Sequence, residues 1–321
     1  MASELSDGKK SSAVVFAYHN VGVRALRAVL DAGIDVRLVV SHLDNPSEAV
    51  WFDSVVALAA ERGLRCVTPV DACDPKLLEA CRAAEPDFLF SFYYRHMLPA
   101  ALLSVPRRGA FNLHGSLLPK YRGRAPVNWA ILHGERESGA TLHVMDEKPD
   151  HGAIVDRCAV PILADDTARE VFDKVVVAAE IVMVRTLPRL IAGTASFCDQ
   201  RLAEGRYFGG RRPEDGRIAA ASSARQIHDL VRAVAPPEYP GAFFDTARGR
   251  IVIARTMIGS VSPAGMPSLS SFAMCVRDGK LVIDAIDGRF VLVLGATIDG
   301  RDFDPASFIR HFGDDFVRPL S

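Results

Sequence analysis

Arg108-Gly109-Ala110-Phe111-Asn112-Leu113-His114-Gly115-Ser116-Leu117-Leu118-Pro119-Lys120-Tyr121-Arg122-Gly123-Arg124-Ala125-Pro126 changes character twice along its length. Its first four residues read as a short buried strand. Gly115, Pro119, Gly123 and Pro126 then punctuate a loop, and a helix is expected to begin near Pro126. Asn112 and His114 therefore stand at a strand end, two residues apart, where period-two geometry puts both side chains on one face. One is an amide able to donate to a developing negative oxygen; the other is an imidazole able to move a proton near neutral pH. Strand ends of α/β folds are where such groups tend to act. The plainer alternative is a turn-forming Asn beside a hydrogen-bonded core His. Lys120, Arg122 and Arg124 point to an anionic ligand, with a solvated loop face as their plain alternative.

Upstream of this stretch, apolar runs alternate with helical spacing. Strands are expected over 13–18, 34–40, 64–67 and 87–92, and helices over 23–31 (closed by Gly33), 51–62 (closed by Gly63) and 75–84. This β-α-β-α order predicts a doubly wound α/β fold with a parallel sheet. After the first strand the chain reads Tyr18-His19-Asn20-Val21-Gly22-Val23, with no Gly-x-Gly-x-x-Gly, which argues against a nicotinamide dehydrogenase.

Downstream, a helix is expected over 125–133 and strands over 140–145 and 153–160, with Asp150 in the loop between them. Thr167 is placed as the cap of a long helix through 191, with Glu170 at the capping-box position. Between 192 and 217 the composition shifts to Gly, Arg and Asp, as in a linker; Tyr207-Phe208-Gly209-Gly210-Arg211-Arg212-Pro213 is its densest part. A helix over 226–233 follows, then short strands at 243–244, 250–254, 274–277, 281–286 and 290–296. Asp278-Gly279 and Asp287-Gly288 supply hairpin turns, so a small β-barrel is predicted. The domain boundaries read as a disordered tail over 1–12, a catalytic domain over 13–205 and a C-terminal domain over 206–321.

Composition is that of an ordinary globular protein: 321 residues, 49% hydrophobic, 24% charged. A net charge of -1 gives no global pull toward nucleic acid or acidic membrane. No apolar run reaches membrane-spanning length. The polar tail lacks a signal-peptide core, so a cytoplasmic protein is expected. The six cysteines form no Cys-x-x-Cys pair and no histidine cluster completes a zinc pattern, so no metal is expected.

Asn112-x-His114 followed by Ser116-Leu117-Leu118-Pro119-x-Tyr121-Arg122-Gly123, and later by Asp150 before Gly152, resembles the signature of the formyltransferases that use 10-formyltetrahydrofolate. Ser91-Phe92-Tyr93-Tyr94-Arg95-His96, Asn112 through Pro126, and Val231-Arg232-Ala233-Val234 with Pro240-Gly241-Ala242-Phe243 are similar to one branch. That branch is the formyltransferase half of the bifunctional polymyxin-resistance enzymes, which formylate UDP-4-amino-4-deoxy-L-arabinose in lipid A modification. The likeness is strongest through Pro126 and loosest after Gly259.

The resemblance implies a Rossmann-like catalytic domain followed by an OB-like barrel. It implies Asn112, His114 and Asp150 as the catalytic set. It also implies a folate pocket lined by the backbone of His96, Met97 and Leu98, by Arg124, and by the loop Asp146-Glu147-Lys148-Pro149-Asp150. The expected partner is a nucleotide-sugar substrate. In the bifunctional enzymes an oxidative decarboxylase follows; it is absent from this chain, so a separate decarboxylase partner or removal by truncation is expected. Formylation of another nucleotide-linked amino sugar, or of methionyl-tRNA, stays open. Against tRNA stands the segment Ser41-His42-Leu43-Asp44-Asn45-Pro46-Ser47-Glu48, acidic where the tRNA enzymes carry basic residues.

Overall fold

The computed structural model describes residues 10–44, 50–261 and 270–320. Residues 1–9 of the expected tail and 45–48 of the acidic loop lie outside the described residues. The chain divides into two compact units: one takes 1–126, 138–160 and 173–208, the other 127–137, 161–172 and 209–321.

In order, the elements are β1 (Ser12–Ala17), α1 (His19–Asp31), β2 (Asp35–Val40), α2 (Val55–Glu61), β3 (Cys66–Val67), α3 (Pro75–Ala83) and β4 (Phe88–Phe92). There follow α4 (Ala100–Leu103), β5 (Ala110–His114), β6 (Arg122–Gly123), α5 (Pro126–Leu132), β7 (Glu137–Val144), β8 (Ile154–Pro161), α6 (Ala168–Ala192) and β9 (Tyr207–Phe208). The remainder is α7 (Ala224–Ala233), β10 (Ala242–Thr246), β11 (Gly249–Val261), β12 (Ala273–Arg277), β13 (Lys280–Asp284), β14 (Arg289–Ile298), β15 (Arg301–Asp302) and α8 (Pro305–Phe312).

The first unit is built on a sheet ordered β3-β2-β1-β4-β5-β7-β8. From β3 to β5 every pairing is parallel, as the alternation predicts. Strand β7 departs from that expectation: it runs antiparallel to β5 and sets Asn112 opposite His143 and His114 opposite Thr141. The helical spacing between two strands does not encode the direction of return, so this reversal was not legible. β1 and β4 are buried along their whole lengths, which is why they read as nearly continuous apolar runs, broken only by the buried Ser12 and Ser91. Val14, Phe16, Leu38, Val40 and Leu89 join Leu77 and Cys81 of α3 in one core.

Helix α2 starts later than its apolar spacing predicts. The Ser54 hydroxyl accepts from the Ala57 N–H at 3.2 Å and caps the helix, while the Asp53 N–H donates to Asn20 Oδ1 at 2.8 Å. Trp51 and Phe52 are left to pack on the His19 ring, with centroids 4.5 and 4.1 Å away. At Thr167 the expected capping box is present: its N–H and hydroxyl donate to Glu170 Oε2 at 2.7 and 2.8 Å, and the Glu170 N–H returns to the hydroxyl at 3.3 Å.

The second unit holds an antiparallel sheet ordered β10-β11-β14-β13-β12, with β15 on β14. Asp278 and Gly279, with φ of 49° and 70°, form the two-residue turn between the paired Arg277 and Lys280. Register shifts at Ile253/Arg255 and Arg255/Thr256 bend β11 against β14. The result is a curled sheet, consistent with the small barrel-like domain expected from the sequence. Against it, α7 buries the Asp229–Arg232 ion pair at 2.7 Å.

Leu89 is wholly buried in β4, whereas Val70 is 93% exposed. Leu89→Ala is expected to cost about 3 kcal/mol and Val70→Ala less than about 0.5 kcal/mol. Denaturant unfolding checks both: the midpoint should fall only for Leu89→Ala, with the slope unchanged.

Candidate active site

Strand β5 places Asn112 and His114 at its carboxyl end, and the turn after β7 brings Asp150 to them. Asp150 Oδ1 lies 3.5 Å from His114 Nδ1, 3.5 Å from His143 Nε2 and 3.4 Å from Asn112 Nδ2. Its Oδ2 accepts the Gly123 N–H at 2.8 Å. A buried carboxylate in so small a space must be compensated. Burial alone would raise the Asp150 pKa. The charge of His114, the hydrogen bond and charge of His143 and the Gly123 N–H outweigh it and hold the carboxyl well below the usual carboxylate range. Asp150 is an anion at neutral pH.

The partners fix the roles of the ring nitrogens. His114 Nε2 donates to the Tyr121 carbonyl at 2.9 Å, so Nδ1, facing Asp150, is the atom free to take and give a proton. His143 Nδ1 donates to the Val144 carbonyl at 2.8 Å. In its neutral form His143 Nε2 then accepts one Asn112 amide hydrogen at 3.1 Å; protonated, it donates to Asp150. The second Asn112 hydrogen is held only by the long 3.4 Å contact with Asp150, and is the one left to reach an oxygen outside the protein.

Two glycines are required by close approach. A Cβ at Gly115 would overlap the Tyr93 hydroxyl, and one at Gly123 would overlap the Phe208 carbonyl and crowd the Tyr207 ring. Gly123 also has φ of 96°.

A cavity of about 700 Å³ opens beside these residues. Its lining contains Asn112, His114 and Asp150, and the residues the resemblance implied: His96, Met97, Leu98, Arg124, Asp146, Lys148 and Pro149. Glu147 is exposed and does not line it. Lys148, Arg124 and Arg95 give the wall positive charge. Lys120 and Arg122 do not line it. Arg122 is instead buried, with Nη1 on His151 Nε2 at 3.0 Å.

Two histidines were not singled out from the sequence. His143 had one local signal, a titratable residue inside a strand expected from its sequence. His42 stacks on Tyr94 at 4.1 Å and accepts the Arg95 N–H at 3.1 Å, anchoring the 93–98 segment of the cavity wall. The second unit contributes none of the residues named here as lining the cavity. Among the described residues no group of His, Cys, Asp and Glu is arranged to hold a metal. Nor is any helix among them long and apolar enough to cross a membrane.

Residues 12–187 match the model described as formyl transferase, and residues 211–313 match the formyl transferase C-terminal domain. The chain belongs to the formyl transferase family and is a formyltransferase. Among solved structures it is similar to the N-formyltransferase from Helicobacter canadensis in complex with folinic acid and dTDP-3-aminofucose. That pair is 20% identical with a TM-score of 0.69, covering 92% of this chain and 100% of that one. The 4-N formyltransferase from Francisella tularensis is 21% identical with a TM-score of 0.62, over 76% of this chain and 96% of that one. HypX from Aquifex aeolicus, in complex with tetrahydrofolic acid, is 16% identical with a TM-score of 0.60, over 94% of this chain and 47% of that one. At these identities the likeness is one of fold.

Burial, with the charges of His96 and Arg95, pushes the His42 pKa down to about 4. The unfolded chain, near 6.5, therefore takes up this proton first. The contribution is complete above pH 6.5 and drains away as pH falls toward 4. Thermal melts at pH 7.5 and 5 should show a smaller acid-induced drop in Tm for His42→Phe than for the unaltered chain.

Proposed function

We propose that the chain transfers a formyl group from 10-formyltetrahydrofolate to the amine of a nucleotide-linked amino sugar, with UDP-4-amino-4-deoxy-L-arabinose as acceptor. The observation that carries this reading is the meeting of Asn112, His114 and Asp150 on the wall of one cavity. The residues present suit a folate: backbone edges at 96–98 fit a flat ring with donors and acceptors, and Arg95, Arg124 and Lys148 suit its carboxylates or a diphosphate. The structural neighbour holding folinic acid with an amino-sugar nucleotide supports the same pairing of ligands. The acceptor named is that of the branch the motifs resemble. With it go lipid A modification, a cytoplasmic location and a catalytic part over 13–205 with a C-terminal part over 206–321.

10-Formyltetrahydrofolate supplies the formyl group. Asn112 Nδ2 donates to the oxygen that gains charge as an amine adds to the formyl carbon, a contribution worth about 3 kcal/mol. His114 Nδ1 takes the proton the amine loses and returns one to the departing nitrogen. Asp150 holds the imidazole and balances its charge when it is protonated. His143 holds one hydrogen of the Asn112 amide so that the other faces outward.

Release of tetrahydrofolate tests the reading, with UDP-4-amino-4-deoxy-L-arabinose, a dTDP-4-amino sugar and methionyl-tRNA offered separately. Turnover is expected with the UDP sugar. Asn112→Ala and His114→Ala should lower kcat by about 100- to 1,000-fold. His143→Leu, which removes the acceptor for the Asn112 amide and one of the partners of Asp150, should lower it by about tenfold. Turnover with the dTDP sugar alone would move the acceptor and keep the chemistry. Turnover with tRNA alone would overturn the nucleotide-sugar reading.

A further inference from the structure

The segment that reads as a linker in the sequence is bound to both loops of the site. Cys198 exchanges backbone hydrogen bonds with Ile154, at 2.8 and 2.9 Å. Two residues on, Gln200 Nε2 donates to the Asp150 carbonyl at 2.9 Å and to the Gly152 carbonyl at 2.7 Å. Arg122 Nη2 donates to the carbonyls of Leu202 and Gly205, at 3.2 and 3.0 Å, while its Nη1 bonds His151. β9 then pairs in parallel with β6, and Phe208 stacks on Tyr121. A Cβ at Gly205 would overlap the Pro119 carbonyl, so the segment is pressed against the first loop. Residues 198–208 thus run as a strap across 119–124 on one side and 150–154 on the other.

The turn the strap grips has an uncommon backbone. Asp150 has φ of 57°, in the left-handed region that few residues other than glycine, asparagine and aspartate adopt. Gly152 is packed against the Val144 carbonyl, where a Cβ would overlap. The carbonyls on either side of His151 face the same amide. Two acceptors facing one group require two hydrogens on one nitrogen, and the Gln200 amide supplies both. Its other end, Oε1, is buried without a hydrogen-bond partner, so the donors are what the site uses.

We propose that Gln200 is a positioning residue: by clamping the carbonyls of Asp150 and Gly152 it holds the Asp150 carboxylate at the distance from His114 and Gly123 that the reaction uses. The proposal rests on the reading that Asp150 acts with His114, and not on which acceptor is formylated. Gln200→Met keeps the length of the side chain and removes both donors. Gln200→Lys keeps donors facing the two carbonyls. Neither replaces a residue that lines the cavity.

The reporter is the Gly123 amide proton, which donates to Asp150 Oδ2 at 2.8 Å. Its NMR shift in the full chain labelled with 15N-glycine needs no substrate, so a failed acceptor reading leaves the result intact. Asp150→Ala sets the position of an unbonded amide. In Gln200→Met the signal should move most of the way there, and in Gln200→Lys it should stay near the unaltered chain. With an acceptor that turns over, kcat for Gln200→Met should fall at least about tenfold while KM for both substrates stays within about threefold. A Gly123 signal unmoved in Gln200→Met, while Asp150→Ala moves it, would overturn the proposal. So would a lowered melting temperature for Gln200→Met with kcat and the Gly123 signal unchanged, since that would make the strap merely structural.

Discussion

A single carboxylate withdrawn from water organises the site. Asp150 is anionic and mostly buried, and an unpaired charge in such a place costs several kcal/mol. Every neighbouring element answers it. β5 brings Asn112 and His114, β7 brings His143, and the loop leading to α5 turns the Gly123 N–H inward. Those partners come from segments far apart in the chain, so the carboxylate is also what ties the loop after β5 to the loop after β7. The burial produces a fixed negative charge beside an imidazole whose other nitrogen is already committed to Tyr121.

The backbone around this charge is held in conformations it would not choose. Tyr93, Tyr121, Ala125 and Asp150 all have positive φ, between 51° and 57°. All but Tyr121 line the cavity, and Tyr121 supplies the carbonyl that orients His114. Such strain persists only where the surroundings over-determine it. The sequence shows how: Gly115 admits the Tyr93 hydroxyl, Gly123 admits the Phe208 carbonyl, and the strap over 198–208 closes on both loops. A preorganised donor at Asn112 and a preoriented ring at His114 are what this rigidity yields.

The legible parts of the fold are those with local causes. The apolar runs of β1 and β4, the cap at Thr167 and the Asp278-Gly279 turn are each set by neighbouring residues, and each is where its residues place it. Asn112 and His114 were readable because they share one strand end, and Asp150 because a family motif marks it. The contributions of His143 and Gln200 were not legible. His143 meets Asn112 through an antiparallel pairing that no periodicity announces. Gln200 sits in a polar stretch whose composition is that of any linker, and its meaning lies in two carbonyls some fifty residues earlier in the chain. The late start of α2 has a third cause: Ser54 and Asn20 outbid the apolar spacing for the backbone N–H groups.

A crystal structure of the chain with a stable 10-formyl folate analogue bound would test the central arrangement most directly. The expected result is a formyl oxygen within hydrogen-bonding distance of Asn112 Nδ2. The amide should have given up its long contact with Asp150 while keeping His143, and His114 Nδ1 should face the same formyl group. A folate bound elsewhere, or bound in the cavity with its formyl oxygen turned away from Asn112 and His114, would contradict the roles assigned to these residues.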